Sequence, residues 1–315
     1  MNKICFGCGI KLQCDDELKE GYIPKEKIDN STYCQRCFRI IHYGINKDTK
    51  EPKSTDNIIS NINSNAHFVI FLTDLININE ELIKIYHKIN KPKLMVISKS
   101  DLIPQSIRFD KIINNLKDIY NIKEDIKIIS SNSGYGVNNL INYLLDNNIK
   151  EVYLLGETNA GKSSLINKMM DMIGSNLNKI TTSDTSNTTL DFLRIKLSDD
   201  LTIIDSPGFY IEKRDSDNSL INPLIYQMKK GESLKIDNYY LNFSENANIV
   251  LYLNKKVNVS KYFKEIELEN KLNIINESDL IIKGLGFINF KENCIIKTNI
   301  DRNLEIRRSI IKRYE

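Results

Sequence analysis

Gly156-Glu157-Thr158-Asn159-Ala160-Gly161-Lys162-Ser163 is the stretch that decides the fold. It fits the phosphate-binding pattern G-x-x-x-x-G-K-[ST]. The apolar run Val152-Tyr153-Leu154-Leu155 precedes it, and Ser164-Leu165-Ile166-Asn167-Lys168-Met169-Met170 follows with the texture of a helix. Strand, loop and helix in that order are the context the pattern needs. The glycines let backbone N–H groups face phosphate oxygens, and the helix adds its positive N-terminal end. Asn159, Ala160, Gly161, Lys162, Ser163 and Ser164 are therefore candidate nucleotide contacts. Lys162 would place a charge on the outer phosphates and Ser163 a hydroxyl on Mg²⁺.

Working outward, Ile203-Ile204-Asp205-Ser206-Pro207-Gly208 ends a second apolar strand. Asp205 there suits the Mg²⁺ shell, and Gly208 leaves an N–H for the outermost phosphate. Between the two lies Thr181–Asp191, a polar loop in which Thr189 is the favoured metal contact over its neighbour Thr188. Lys162, Thr189, Asp205 and Gly208 make up the expected catalytic set. Phe209 stands where many GTPases carry a water-orienting Gln, so slow intrinsic hydrolysis is expected.

About half the chain precedes the loop, and it carries base-reading signals. The strand Leu94–Ile97 ends in Ser98-Lys99-Ser100-Asp101, which resembles the guanine-reading N/T-K-x-D of GTPases. Asp101 would accept from the guanine N1–H and 2-amino group, a donor pair adenine lacks. Ser98 stands in place of Asn, and Lys99 would cover the base. Ile126–Ile129 ends in Ser130-Ser131-Asn132-Ser133-Gly134, resembling the S-A-x loop that meets the base oxygen. Base loops therefore precede the phosphate loop, a circular permutation of the usual GTPase order.

Around this core, short apolar runs alternate with helical stretches, which predicts a mostly parallel sheet covered on both faces. The strands are Phe68–Leu72, Lys93–Ile97, Ile126–Ile129 and Val152–Leu155, with a hairpin of Leu190–Leu197 and Leu201–Ile204. Helices are expected over Glu80–Asn90, Phe109–Tyr120 and Asn138–Leu145. From about Asp215 the runs turn β-like, and the chain is expected to close on a basic helix with Arg302, Arg307, Arg308, Lys312 and Arg313 as a phosphate-contacting face. A solvated helix surface is the other reading of that run.

The 315 residues suffice for two or three domains. Lys+Arg 44 against Asp+Glu 41 gives +3, which neither requires nor excludes a nucleic-acid partner. Asn, Ile and Lys are abundant throughout. There is no signal segment and no run able to span a bilayer, so a cytoplasmic protein without membrane attachment is expected. Six cysteines in that compartment point to thiols or metal ligands.

Cys5-Phe6-Gly7-Cys8 and Cys34-Gln35-Arg36-Cys37 form two C-x₂-C knuckles whose four thiolates suit a closed, structural Zn²⁺. Redox or unpaired thiols are the alternative. Cys14 and Cys294 fall outside the pattern, and His42 is a spare fifth donor. Phe38-Arg39-Ile40-Ile41-His42-Tyr43 mixes aromatics with cations, fit either for RNA or for packing on the zinc core.

Taken together these residues resemble the YqeH family of circularly permuted GTPases, over nearly the whole chain. The resemblance rests on both knuckles, Gly21-Tyr22, Pro24-Lys25, Phe38-Arg39, His42-Tyr43 and Ser98–Asp101. It continues through Gly156–Ser164, Thr188-Thr189-Leu190-Asp191, Asp205–Gly208 and, more loosely, Gly284-Leu285-Gly286-Phe287. Ser98 and Asn187 depart from the family pattern. The likeness implies an α/β, circularly permuted P-loop GTPase domain (46–214) between an N-terminal Cys₄ zinc finger (1–45) and a C-terminal β-rich α+β domain for RNA or protein contact (215–315). It implies GTP hydrolysis with Mg²⁺ in assembly of the small ribosomal subunit, acting on that subunit or its rRNA, with a monomer expected. Asn159 resembles the Asn that holds K⁺ in some GTPases. The rival reading is a GTP-gated RNA- or protein-binding chaperone with incidental hydrolysis.

Overall fold

The computed structural model describes residues 3–5, 10–15, 21–28, 31, 33–35, 54–103, 107–174, 192–209, 223–254, 256–300 and 304–311. They form two compact units. The first takes the described residues of Met1–Thr73, Tyr86–Ser98 and Ile126–Tyr210. The second takes those of Asp74–Ile85, Lys99–Asp125 and Ile211–Glu315.

The first unit is built on a six-stranded sheet ordered β3-β2-β1-β4-β6-β5. Its strands are β1 (Val69–Asp74), β2 (Lys93–Ser98), β3 (Ile126–Ile128), β4 (Glu151–Gly156), β5 (Leu193–Lys196) and β6 (Thr202–Asp205). β1 pairs parallel with β4, β4 with β6 and β2 with β3, while the edge strand β5 runs antiparallel to β6. The apolar runs are unbroken because the central strands are buried on both faces, as parallel sheets require. Leu72, Val96, Leu154 and Ile203 meet Leu140, Leu144, Leu165 and Met169 in one core. The last four come from α4 (Val137–Asp146) and α5 (Lys162–Ile173).

Each expected strand and helix of this region forms, with ends shifted by a few residues. The sequence reading missed α1 (Thr55–Asn65). Ser54 caps that helix by accepting the Asn57 N–H at 3.4 Å, and Ile58, Ile59 and Ile62 are buried. The many Asn and Ser residues hid an apolar stripe of three isoleucines.

The N-terminal segments make a small cluster of their own. Cys5, Leu12, Ile23 and Cys34 are buried, with Ile28, Tyr33, Cys14 and Leu193 of β5 packed against them. Cys8 and Cys37 lie outside the described residues, as does Phe38–Tyr43.

In the second unit are α2 (Glu80–Lys88), of which the first residues belong here, and α3 (Phe109–Tyr120). With them stand two five-stranded antiparallel sheets. One is ordered β16-β13-β14-β10-β7, from β7 (Leu224–Met228), β10 (Ala247–Leu253), β13 (Ser278–Ile282), β14 (Gly286–Phe290) and β16 (Leu304–Arg308). The other is β11-β8-β9-β15-β12, from β8 (Ser233–Ile236), β9 (Tyr239–Phe243), β11 (Val259–Tyr262), β12 (Asn270–Ile274) and β15 (Cys294–Thr298). Leu234, Phe243, Ile249, Leu280, Ile288 and Ile296 fill one core from both sheets, and Phe243 stacks on Phe290 at 6.2 Å.

The basic helix expected at the C-terminus is a correction. Leu304–Arg308 is strand β16, paired antiparallel with β13. Arg307 is buried and ion-paired to Asp279, so it cannot contact phosphate, whereas Arg308 is exposed. Period-two alternation puts Arg307 inside and Ile306 outside, the reverse of the usual polarity. Arg302, Lys312 and Arg313 lie outside the described residues. No helix among the described residues is long and apolar enough to cross a membrane.

Leu154 sits at the middle of the sheet with 1% exposure, and Ile225 on the edge strand β7 is 65% exposed. Leu154→Ala should cost about 2–5 kcal/mol by chemical denaturation. Ile225→Ala should stay within about 0.5 kcal/mol.

Candidate functional site

The phosphate side of the site lies in the first unit. β4 ends at Gly156, the chain crosses Glu157–Ala160, and α5 begins at Lys162 with Gly161 as its N-cap at φ 97°. That left-handed angle suits glycine and strains any side chain. Asn159, at φ 66°, is exposed on the loop; Asn tolerates this conformation better than most residues. Ser163 is half-buried and Ser164 exposed in the first helical turn.

Lys162 is folded back on its own loop. Its Nζ donates to the Gly156 carbonyl at 2.9 Å and to the Glu157 carbonyl at 3.3 Å. Burial pushes its pKa down, against the pull of the Asp205 and Glu157 carboxylates. Asp205 is pushed up to about 6 by burial, with Lys162 pulling the other way. Among the described residues, Asp205 Oδ1 is one of three buried side-chain atoms without a hydrogen-bond partner. An orphaned carboxylate oxygen beside a lysine is costly in a closed core and sensible where a cation or metal-bound water will sit. Asp205 and Ser163 thus fit Mg²⁺ chemically.

Gly208 closes this cluster. A Cβ there would come within 2.7 Å of Thr158 Oγ1, 3.2 Å of Thr158 Cα and 3.2 Å of Lys162 Nζ. Only a residue without a side chain can lie this close to the phosphate loop. Phe209 then turns into the core at 2% exposure against Phe71, ring centroids 6.2 Å apart. Its carbonyl accepts the Thr158 N–H at 2.9 Å. Phe209 is a structural anchor and offers no group to orient water. Thr189 lies outside the described residues, as does the rest of its loop.

Ser98 earns its place differently from an Asn. It is 2% exposed, and its hydroxyl lies 2.6 Å from the Ala160 carbonyl and 3.1 Å from the Thr73 carbonyl. Its single proton ties the end of β2 to the phosphate loop. Ser130 is fully buried, and its Oγ accepts the Ser133 N–H at 3.0 Å, closing its own turn. Ser131 is half-buried.

Lys99 and Asp101, the pair expected to read the base, belong to the second unit. Lys99 adopts a left-handed backbone at φ 58°, and Asp101 follows in a single 3₁₀ turn, Ser100–Leu102. Sequence reasoning missed Asp74, which pairs with Lys99 at 3.1 Å. Like Asp205 it is the last residue of an apolar strand, and that was the available signal.

In the N-terminal cluster, one cysteine from each knuckle meets the other. The Cys34 N–H donates to Cys5 Sγ at 3.1 Å, and both residues are buried. An N–H aimed at sulfur is what a metal-bound thiolate accepts. The described half of the donor set fits Zn²⁺. Cys14 is partly buried in the same cluster, and Cys294 is buried in β15 with its thiol pushed up to about 11 by burial.

The family model described as RsgA GTPase matches residues 45–212. The chain belongs to that family. It is a circularly permuted GTPase of the YqeH type. It is 28% identical over 255 residues to the YqeH protein of Bacillus subtilis, covering 73% of this chain and 69% of that one. It is 26% identical to nitric oxide-associated protein 1 of Mus musculus, over 53% of this chain and 32% of that protein. It is 27% identical to the tRNA modification GTPase MnmE of Brachyspira hyodysenteriae, over 71% of this chain and 53% of that one. The chain thus spans about a third of the mouse relative and half of the last. A second model, 50S ribosome-binding GTPase, matches 151–283. From Leu224 onward that stretch falls on strands of the C-terminal antiparallel sheets.

Asp205 gives a pH test on metal-free protein. A carboxyl whose folded pKa is raised costs stability as pH rises from its ordinary value to about 6, and the cost is constant above. Asp205→Asn should therefore raise the thermal midpoint above about pH 7, with the gain shrinking towards pH 4.

Proposed function

We propose that this GTPase reads guanine with Asp101 and Lys99 and hydrolyses GTP slowly. Its nucleotide state would gate engagement of the small ribosomal subunit or its rRNA in the cytoplasm. The observation that carries the reading is the close packing of Gly208 on Thr158 and Lys162, with Asp205 alongside. A γ-phosphate at the loop meets Lys162, whose ammonium exchanges the Gly156 and Glu157 carbonyls for phosphate oxygens. The Gly208 N–H is the group that senses that phosphate. Bound Mg²⁺ supplies charge compensation across the phosphates. Ser163, Asp205 and Thr189 would hold it, and K⁺ facing Asn159 would add to it. Phe209 is buried in the core, which supports slow turnover and leaves water positioning to other groups.

The RNA side of the proposal is supported by the outward face of the sheet containing β8 and β9. Leu234, Ile236, Leu241 and Phe243 point into the core, so Lys235 and Tyr240 point out. Lys235 Nζ lies 5.3 Å from the Tyr240 ring, and Tyr240 lies 6.4 Å from Tyr262. Lys297 and Lys271 stand opposite each other on the same face, Lys297 paired with Glu265. Aromatic planes interleaved with cations suit unstacked bases and their backbone.

Lys162→Ala should abolish hydrolysis, and Asp101→Asn should move preference from guanine towards xanthine nucleotides. Sedimentation with small ribosomal subunits should differ between GTP and GDP, and Tyr240→Ala should weaken it. Equal sedimentation in both nucleotides would overturn the gating reading. Turnover unmoved by particles would favour the chaperone reading. Assays in K⁺ and Na⁺ test Asn159.

We also infer a structural Zn²⁺ held by Cys5, Cys8, Cys34 and Cys37. Metal analysis of purified protein should give one zinc per chain, lost in Cys34→Ser. A folded metal-free protein would contradict it.

A further inference from the structure

In the second unit, the end of the chain reaches the segments that carry the base-reading pair. Arg307 of β16 is 3% exposed, and its Nε donates to Asp279 Oδ2 at 3.2 Å. Asp279, fully buried on β13, also accepts the Ile310 N–H at 3.1 Å and the Asn289 amide at 2.8 Å. The guanidinium lies 5.0 Å from the Phe287 ring centroid. Its Nη1 leaves the sandwich altogether and donates to the carbonyl of Ile78, with the Tyr120 hydroxyl 3.5 Å away.

Ile78 belongs to the turn that follows Asp74. Within that turn Asp74 Oδ1 accepts the Asn77 N–H at 3.0 Å, and Oδ2 accepts the Asn77 side-chain amide at 2.8 Å. The same Oδ2 holds Lys99 Nζ at 3.1 Å. Lys99 has the left-handed backbone of this loop, a conformation that persists only where its surroundings enforce it. β16 grips the neighbouring elements too. Both Glu305 oxygens accept the Glu80 N–H, at 2.9 and 3.1 Å, at the start of α2. Just past the strand, the Ile310 carbonyl accepts the Asn115 amide of α3 at 3.1 Å.

A buried arginine–carboxylate pair is a poor source of net stability, because desolvation offsets most of its attraction. Arg307 Nη2 is moreover buried without an acceptor. What the pair does provide is a fixed position for one carbonyl. We propose that Arg307 is a positioning residue for guanine recognition. By holding the Ile78 carbonyl it fixes the turn that sets Asp74 against Lys99, so the C-terminal sandwich contributes to nucleotide affinity and base selectivity. The inference rests on Lys99 and Asp101 being the guanine-contacting pair.

The test is equilibrium binding of GDP, GTP, ITP and ATP, with steady-state kinetics, on full-length protein. Arg307→Met is compared with Arg307→Met/Asp279→Leu, which leaves no lone buried charge if the single variant folds poorly. Both should lose about 5- to 30-fold in GDP affinity. The loss should fall on KM rather than kcat, with a smaller preference for GTP over ATP. Asp74→Asn should give a similar loss, and its combination with Arg307→Met little more, since both act on one turn. Unchanged affinity and preference in a folded Arg307 variant would overturn the proposal, as would fully additive losses. Asp101→Asn is the control. If it fails to change base preference, the guanine reading falls; if it succeeds while Arg307 is silent, only the present inference falls.

Discussion

Everything at the phosphate end depends on β4 and β6 lying parallel and adjacent. Parallel neighbours end at the same edge of a sheet, and ligands of open α/β sheets bind at that edge. Glu151 to Leu154 pair with Thr202 to Asp205, so the loops that follow them emerge side by side. The pairing continues past the sheet as the bridge between Glu157 and Phe209. Lys162, Asp205 and Gly208 come together because of that register. A one-residue slip would turn Asp205 to the other face.

Much of this was legible because the expected nucleotide contacts are local in sequence. The loop Gly156–Ser163, the turn Asp205–Gly208 and the strand-end Ser98–Asp101 each declare themselves by spacing, and each sits at the end of an apolar run. The functions of individual residues were less legible. Ser98 read as a weakened Asn, yet it spends its hydroxyl on the Ala160 carbonyl, a partner 62 positions away. Asp74 gave no motif, since its meaning comes from Lys99, which follows β2. The α1 stripe was masked by a composition rich in Asn.

The last strand was misread for a related reason. Arg302 to Arg313 is dense in cations, and charge density on a short segment suggests a solvated surface. Pairing with β13 instead places Arg307 opposite Asp279 and sends its guanidinium to Ile78. Sequence reasoning has no access to a partner 229 positions distant. A buried arginine is visible only once the carboxylate that receives it has been placed.

The hydrogen bonds of Lys162 have a consequence of their own. Lys162 already bonds two carbonyls of the loop it serves. Both acceptors are main-chain carbonyls, those of Gly156 and Glu157, so the backbone rather than any side chain aims the ammonium. A substitution at Glu157 changes a neighbouring charge but leaves that carbonyl in place, whereas a change in the path of the loop moves both acceptors at once. The direction of the Lys162 side chain is therefore a property of loop conformation before it is one of loop composition.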